Sequence, residues 1–253
     1  MPYLSRVWLN PRRAKARVYL SNPQVVHAAV LAAFPSPAGP RVLWRLEPDW
    51  QAASEVRHRV ELLIVSEPRP SLTHIVEEAG FPGSDDGLAE TADYQPLLGR
   101  LAEGQQYVFK VRVNPVQSVM EPLAPSASQR RALESAAGRH RGFRVPHRTL
   151  AHQTGWLIER AGRWGLEIAG SSQAGALDLR ECNRERLDFR KSARTGPGRR
   201  VQIATVTFEG RARVVNAHLL RDALLNGVGP AKAYGCGLLT LAPLPTDEEL
   251  RRP

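Results

Sequence analysis

Residues Val201–Val215 read VQIATVTFEGRARVV, and residues 216–241 continue as NAHLLRDALLNGVGPAKAYGCGLLTL. The first part is a long strand pattern. Asn216 is a capping residue, and Leu219, Leu220, Ala223 and Leu224 follow it at helical spacing. Gly235 to Leu241 returns to a strand. Between helix and strand stand Gly227, Gly229, Gly235 and Gly237. Glycine permits positive φ and close approach of another backbone. Successive exposed N–H groups then form a nest for an anion, with Lys232 as a point charge in its middle. A tight turn that needs glycine only for its own geometry is the competing reading. A loop between a helix and a following strand reverses the Rossmann and P-loop arrangements, and the GxxxxGK[ST] spacing is missing. Both nucleotide-phosphate loops are therefore disfavoured.

Working outward, Tyr107–Val113 (YVFKVRV) alternates as a strand and ends at Asn114-Pro115. Tyr107 and Phe109 do not match the aromatic pattern of an RNA-recognition motif and read as core. Glu121 to Arg139 is rich in Pro, Ser, Ala and Arg and reads as a mobile connection. His147–Ala161 is a helix, and Gly165–Ile168 and Glu181–Arg190 are strand-like. The first half has the same order. Tyr3–Leu9 is a strand, and Asn22-Pro23 starts a helix running to about Phe34, where Pro35 and Pro37 end it. Arg41–Leu46 and His58–Ser66 are strands, and Ser71 or Thr73 opens a second helix ending near Gly80. Gly83 to Asp93 is an acidic loop, and Tyr94–Leu98 is a short closing strand. Strand–helix–strand–strand–helix–strand, twice over, defines an α+β chain of two tandem ferredoxin-like domains. The expected division is residues 1–100 and 105–253, with the boundary near Gly99 to Gly104.

Of the 253 residues, 42% are hydrophobic and 24% charged, as in an ordinary folded protein. The formal charge of +10 is not ordinary and points to a polyanion, nucleic acid first and an anionic membrane surface second. Lysine occurs only at Lys15, Lys110, Lys191 and Lys232, so the positive charge is mainly arginine, suited to bidentate phosphate contacts. Cys182 and Cys236 form no CxxC pair, and His147 and His152 share no helical face well, so no metal or disulfide framework is expected. With no apolar run near ~18 residues and no signal-peptide pattern, a soluble cytoplasmic protein is expected.

The glycine segment GVGPAKAYGCGLL resembles the glycine-rich motif of CRISPR repeat endoribonucleases. The chain resembles the CasE type, the crRNA-processing subunit of Cascade in type I-E systems. VWLNP (7–11), LSNPQVVH (20–27), VLWRLEPD (42–49), YVFKVRVNP (107–115) and HRTLAHQTGWL (147–157) carry that resemblance across nearly the whole length. It implies two ferredoxin-like domains and metal- and cofactor-independent cleavage of repeat RNA. It also implies retention of the crRNA 3′ hairpin alongside other Cascade subunits.

The catalytic candidate is His27, the one ionisable side chain in PQVVHAAVLAAF (23–34). Metal-free RNA cleavage needs a group that titrates near neutral pH. The 2′-OH attacks the adjacent phosphorus and the 5′ oxygen leaves, giving a 2′,3′-cyclic phosphate and a 5′-OH. His27 takes the first proton or gives the second. A histidine that only packs is the alternative, and the resemblance decides for catalysis. The tyrosine that relatives carry three residues earlier is Gln24 here, and a basic residue further along their helix is Ala32. A non-catalytic crRNA-hairpin-binding subunit is therefore the alternative function. The second binding element is residues 180–200, RECNRERLDFRKSARTGPGRR. Arg180, Arg184, Arg186, Arg190, Lys191, Arg194, Arg199 and Arg200 make it a basic β-ribbon with a turn at Thr195-Gly-Pro-Gly. Contact with RNA phosphates is expected, against a merely solvated hairpin.

Overall fold

The computed structural model describes residues 1–35, 42–48, 59–83, 89–125, 127–135, 142–170, 176–191 and 198–244. In the first half, β1 (Tyr3–Leu9), β2 (Leu43–Pro48), β3 (Val60–Ser66) and β4 (Ala89–Asp93) form one antiparallel sheet in the order β2-β3-β1-β4. That is the ferredoxin-like order. Helices α1 (Ala14–Ser21), α2 (Pro23–Leu31) and α3 (Thr73–Ala79) cover one face. Val7, Leu9, Leu62 and Ile64 are fully buried there with Val26, Val30 and Ile75.

Asn22 ends one helix and starts the next. Its N–H bonds the Val18 carbonyl, while its side-chain oxygen accepts from the Gln24 amide at 3.0 Å. Pro23 needs no amide partner at this first helical position. Helix α1 escaped the sequence reading because Arg13 provides no side-chain cap and only Ala16 and Tyr19 are buried.

The closing strand of this sheet lies at Ala89–Asp93, not at Tyr94–Leu98. It is an edge strand with one neighbour and mostly exposed side chains, so it carries no alternating pattern. Residues Gln95–Arg100 are instead helix α4, started by Asp93 Oδ1 accepting from the Gln95 amide at 2.9 Å and by Pro96.

In the second half, β5 (Gln106–Val113), β8 (Leu166–Ile168), β9 (Leu179–Lys191), β10 (Arg199–Val214) and β11 (Leu239–Ala242) form the other sheet, in the order β11-β5-β10-β8. Strands β8 and β9 lie end to end along the same edge of β10, opposite Ala212–Val214 and Arg199–Gly210. Together they occupy the second-strand position of a ferredoxin-like sheet, and β9–β10 runs on as the ribbon. Helices α6 (Leu150–Ala161), capped by Thr149, and α7 (Ala217–Asn226), capped by Asn216, are its two helices. Between β5 and α6, β6 (Val116–Val119) and β7 (Phe143–Pro146) form a small hairpin. Where a mobile connection was expected, Ala127–Ser135 is helix α5; its mean composition is polar and hid it.

The sheets share a core. Leu43 and Val65 from the first, and Tyr94, Leu98 and Leu101 from the connection, are buried with Phe109, Val111, Phe208 and Leu224. Arg221 of α7 donates to the carbonyls of Leu98 and Leu101, both at 2.7 Å. Arg45 of β2, 1% exposed, donates to the Leu238 carbonyl at 2.6 Å, the Lys110 carbonyl at 3.0 Å and Thr240 Oγ1 at 2.8 Å. Its charge is met by Glu47 at 2.5 Å.

Candidate functional site

His27 stands in the second turn of α2, next to the buried stripe of Val26 and Val30. It is half-buried, and burial alone pushes its pKa below 6.5. Its Nδ1 accepts a hydrogen bond from the indole N–H of Trp44 at 3.4 Å. Trp44 lies on β2 opposite Ile64 and is fully buried.

The glycine segment begins where α7 ends. Gly227, Gly229, Gly235 and Gly237 all have positive φ, from 65° to 86°. Much of this geometry serves packing. A Cβ on Gly227 would meet the Leu43 side chain at 2.6 Å, and one on Gly235 would meet the Trp44 ring at 2.6 Å. The amides of Gly227, Val228, Tyr234, Gly235 and Gly237 bond the carbonyls of Ala223, Gly237, Ala231, Lys232 and Arg112. Those five are therefore not free to form an anion nest, and a nest is left only the remaining amides. Lys232 donates to the Asn226 carbonyl at 2.7 Å, which caps the C-terminal end of α7.

The structure brings the three predicted segments together. Helix α2 packs against the 3₁₀ turn Lys232–Tyr234. The ring of Tyr234 lies 5.1 Å from that of Phe189 on the basic ribbon. Trp44 and Tyr234 are thus the joints of the site. For Tyr234 and Trp44 the sequence offers only their places in the GVGPAKAYGCGLL and VLWRLEPD stretches.

Along the ribbon, the positive groups differ in availability. Arg180 pairs with Glu209 at 2.9 Å, and Arg200 pairs with Asp188, whose carboxyl is held down at about 2 by the Arg200 and Gln202 hydrogen bonds. Arg184 donates to the Arg148 carbonyl at 2.6 Å and lies 3.9 Å from Glu181, while Arg186 donates to the neutral Gln202 side chain at 2.8 Å. Arg190 reaches the Gly198 carbonyl at 3.5 Å, and Lys191 is exposed. Among the described residues, Arg186, Arg190 and Lys191 have no carboxylate within ion-pair distance and keep their charge for an external anion. Arg199 faces Lys191 in the ladder, while Arg194 and the turn at 195–197 lie outside the described residues.

A cavity of about 730 Å³ lies between the two sheets, lined by Trp44, Glu47, Lys110, Arg112, Arg180 and Glu185 among others. His27 does not line it. Its lining charges balance, Arg59, Lys110, Arg112 and Arg180 against Glu47, Glu61, Glu185 and Glu209, with Lys110 paired to Glu47 at 2.5 Å, Arg112 to Glu185 and Arg180 to Glu209. A charge-balanced cleft gives a polyanion no net attraction, so size does not make it the RNA site. Among the described residues no group of three or more His, Cys, Asp or Glu side chains is placed to hold a metal ion. His147 and His152 approach to 6.0 Å between ring centroids, and His152 bonds Thr149 at 2.8 Å. No described helix is long and apolar enough to cross a membrane.

With that geometry in hand, comparison with known proteins defines the class. The model of the CRISPR associated protein family matches residues 2–243, and the chain belongs to that family. It is 27% identical to the CRISPR-associated endoribonuclease Cse3 of Thermus thermophilus over 244 residues, covering 95% of this chain and all of the relative. It is 28% identical to the CRISPR system Cascade subunit CasE of Escherichia coli, covering 80% of this chain and 89% of the relative. Thermus thermophilus Cse3 bound to an RNA representing a pre-cleavage complex superimposes with a TM-score of 0.66 at 28% identity, covering 96% of this chain and 99% of that one.

Proposed function

We propose that this chain is a metal-independent endoribonuclease that cleaves CRISPR repeat RNA beside its hairpin and retains the mature crRNA. The observation that carries the reading is the convergence of His27, the turn at Lys232–Tyr234 and the basic ribbon through Trp44 and the Phe189–Tyr234 contact. The relatives named as an endoribonuclease and as a Cascade subunit support both the activity and a place among other Cascade subunits. Work is divided between residues 1–100, which bring His27, and residues 105–253, which bring the ribbon and the glycine segment.

RNA supplies its own nucleophile. The 2′-oxygen bonds to phosphorus, the bond from phosphorus to the 5′ oxygen breaks, and a 2′,3′-cyclic phosphate and a 5′-OH result. His27 serves the proton traffic of that exchange. Arg184, Arg186, Arg190 and Lys191 hold stem phosphates. Arg180, Arg194, Arg199, Arg200 and Lys232 extend that surface, and Gly227, Gly229, Gly235 and Gly237 shape the backbone against which the RNA lies. The protein acts in the cytoplasm.

The second reading, a non-catalytic hairpin-binding subunit, is favoured by Gln24 and Ala32, which replace two polar or basic side chains of the relatives it resembles. End-group analysis separates the two. Cognate repeat RNA incubated in EDTA should yield a fragment ending in a 2′,3′-cyclic phosphate. Intact RNA bound with high affinity would leave the binding subunit.

A further inference from the structure

The Trp44 contact bears on which nitrogen of His27 faces the RNA. The indole N–H is a donor only. Its partner, His27 Nδ1, must therefore offer a lone pair, and in a neutral imidazole the proton then resides on Nε2. Nε2 has no protein partner among the described residues. The indole is not free to turn away. It is fully buried, and its Cζ3–Cη2 edge lies where a Cβ on Gly235 would come within 2.6 Å and 2.9 Å. Gly235, at φ +76°, is a position that favours glycine on both counts. The ring is thus held from the β2 ladder, from the glycine segment and from His27.

We propose that Trp44 is a positioning residue that holds His27 in the neutral tautomer with its proton on Nε2, and that Gly235 is glycine so that the indole can lie there. This rests on the reading of His27 as the catalytic residue. The consequence is directional. While the indole holds Nδ1, Nε2 presents a proton and has no lone pair in the ring plane for the 2′-OH. His27 therefore faces oxygen that gains negative charge: its Nε2–H hydrogen-bonds a phosphorane oxygen or passes its proton to the leaving 5′ oxygen. The 2′-OH proton goes to solvent, and solvent returns one to Nε2. The glycine segment then contributes to chemistry through the indole, separately from any contact it makes with RNA.

Long-range ¹H–¹⁵N spectra of the uniformly labelled free protein at pH 7.5 test this directly. The His27 signals are identified by their loss in His27→Ala. The expected wild-type pattern is one protonated Nε2 and one unprotonated, hydrogen-bonded Nδ1. A protonated Nδ1, or equal averaging of both nitrogens, overturns the proposal without any variant of Trp44. Trp44→Phe, which lacks the donor, should mix the two tautomers. In single-turnover cleavage Trp44→Phe should fall about tenfold or more, the scale seen when the partner that orients a metal-bound histidine is removed, with RNA affinity within about twofold. Gly235→Ala should move the rate the same way. An equal loss of affinity and rate in Trp44→Phe would make the indole merely structural and overturn the proposal. If His27→Ala cleaves at the wild-type rate, the catalytic reading fails, while the tautomer is still read from the spectrum.

Discussion

Arg45 on the second strand of the first sheet donates to the carbonyl of Leu238, 193 residues further along the chain, at 2.6 Å. Leu238 directly follows Gly237, the last glycine of the turn segment. The bond therefore ties the sheet that faces His27 to the segment beside it. Leu43, Trp44 and Arg45 are consecutive, and each enters the second half of the molecule, at Gly227, Gly235 and Leu238. Helix α2 and the glycine turn are tied together by three neighbouring side chains of β2.

Replacing Arg45 by Met should be costly. It leaves the carbonyls of Leu238 and Lys110 without their guanidinium donor and, among the described residues, Glu47 with only Lys110. Breaking a buried charged pair by removing one partner costs about 3–5 kcal/mol. For a chain of this size that lowers Tm by roughly 10 °C. Calorimetry checks it, and a change under 2 °C would mean the contact is not structural.

The ribbon supplies the salt dependence. Arg190→Ala with Lys191→Ala removes two of the three described ribbon cations that have no carboxylate partner. Each phosphate contact contributes roughly 0.7–0.9 to the slope of log affinity against log salt. The double variant should flatten that slope by about 1.5 in a fluorescence-anisotropy titration. An unchanged slope places the stem elsewhere.

Stability should fall in mild acid through His27. Its folded pKa is depressed by burial below the 6.5 of the unfolded chain, so the unfolded state binds more protons between those values. The contribution is complete above about pH 6.5 and is lost as pH falls towards the folded value. His27→Asn should flatten this part of the urea midpoint against pH curve. Parallel curves for wild type and variant would show that His27 is not desolvated.

The elements that sequence patterning located share strong, local signals. Asn22-Pro23 and Asn216 cap helices, and Tyr107–Val113 and Val201–Val215 are rich in β-branched and aromatic residues because their central stretches, Val111–Val113 and Thr205–Phe208, are buried on both faces. Ala89–Asp93 was illegible since an exposed edge strand needs no apolar face, and its backbone bonds to Tyr3–Val7 come from far away in sequence. Helix α1 lacks a cap, and α5 lacks a run of apolar residues. At the site, residue type and resemblance name His27 and the arginines as candidates. What they could not show is that Arg180 and Arg200 are already paired, or that glycine at 227 and 235 makes room for Leu43 and Trp44. Those are relations across the two halves, and no local spacing encodes them.

The most direct test is single-turnover cleavage of the cognate repeat RNA in EDTA by the wild type and by His27→Ala. General acid–base groups contribute about 10²–10⁴ in rate. The wild type should cut once, at the hairpin, and the variant should be slower by at least a hundredfold while binding the RNA with similar affinity. Uncut RNA with the wild-type protein, or equal rates for the two, would contradict the account.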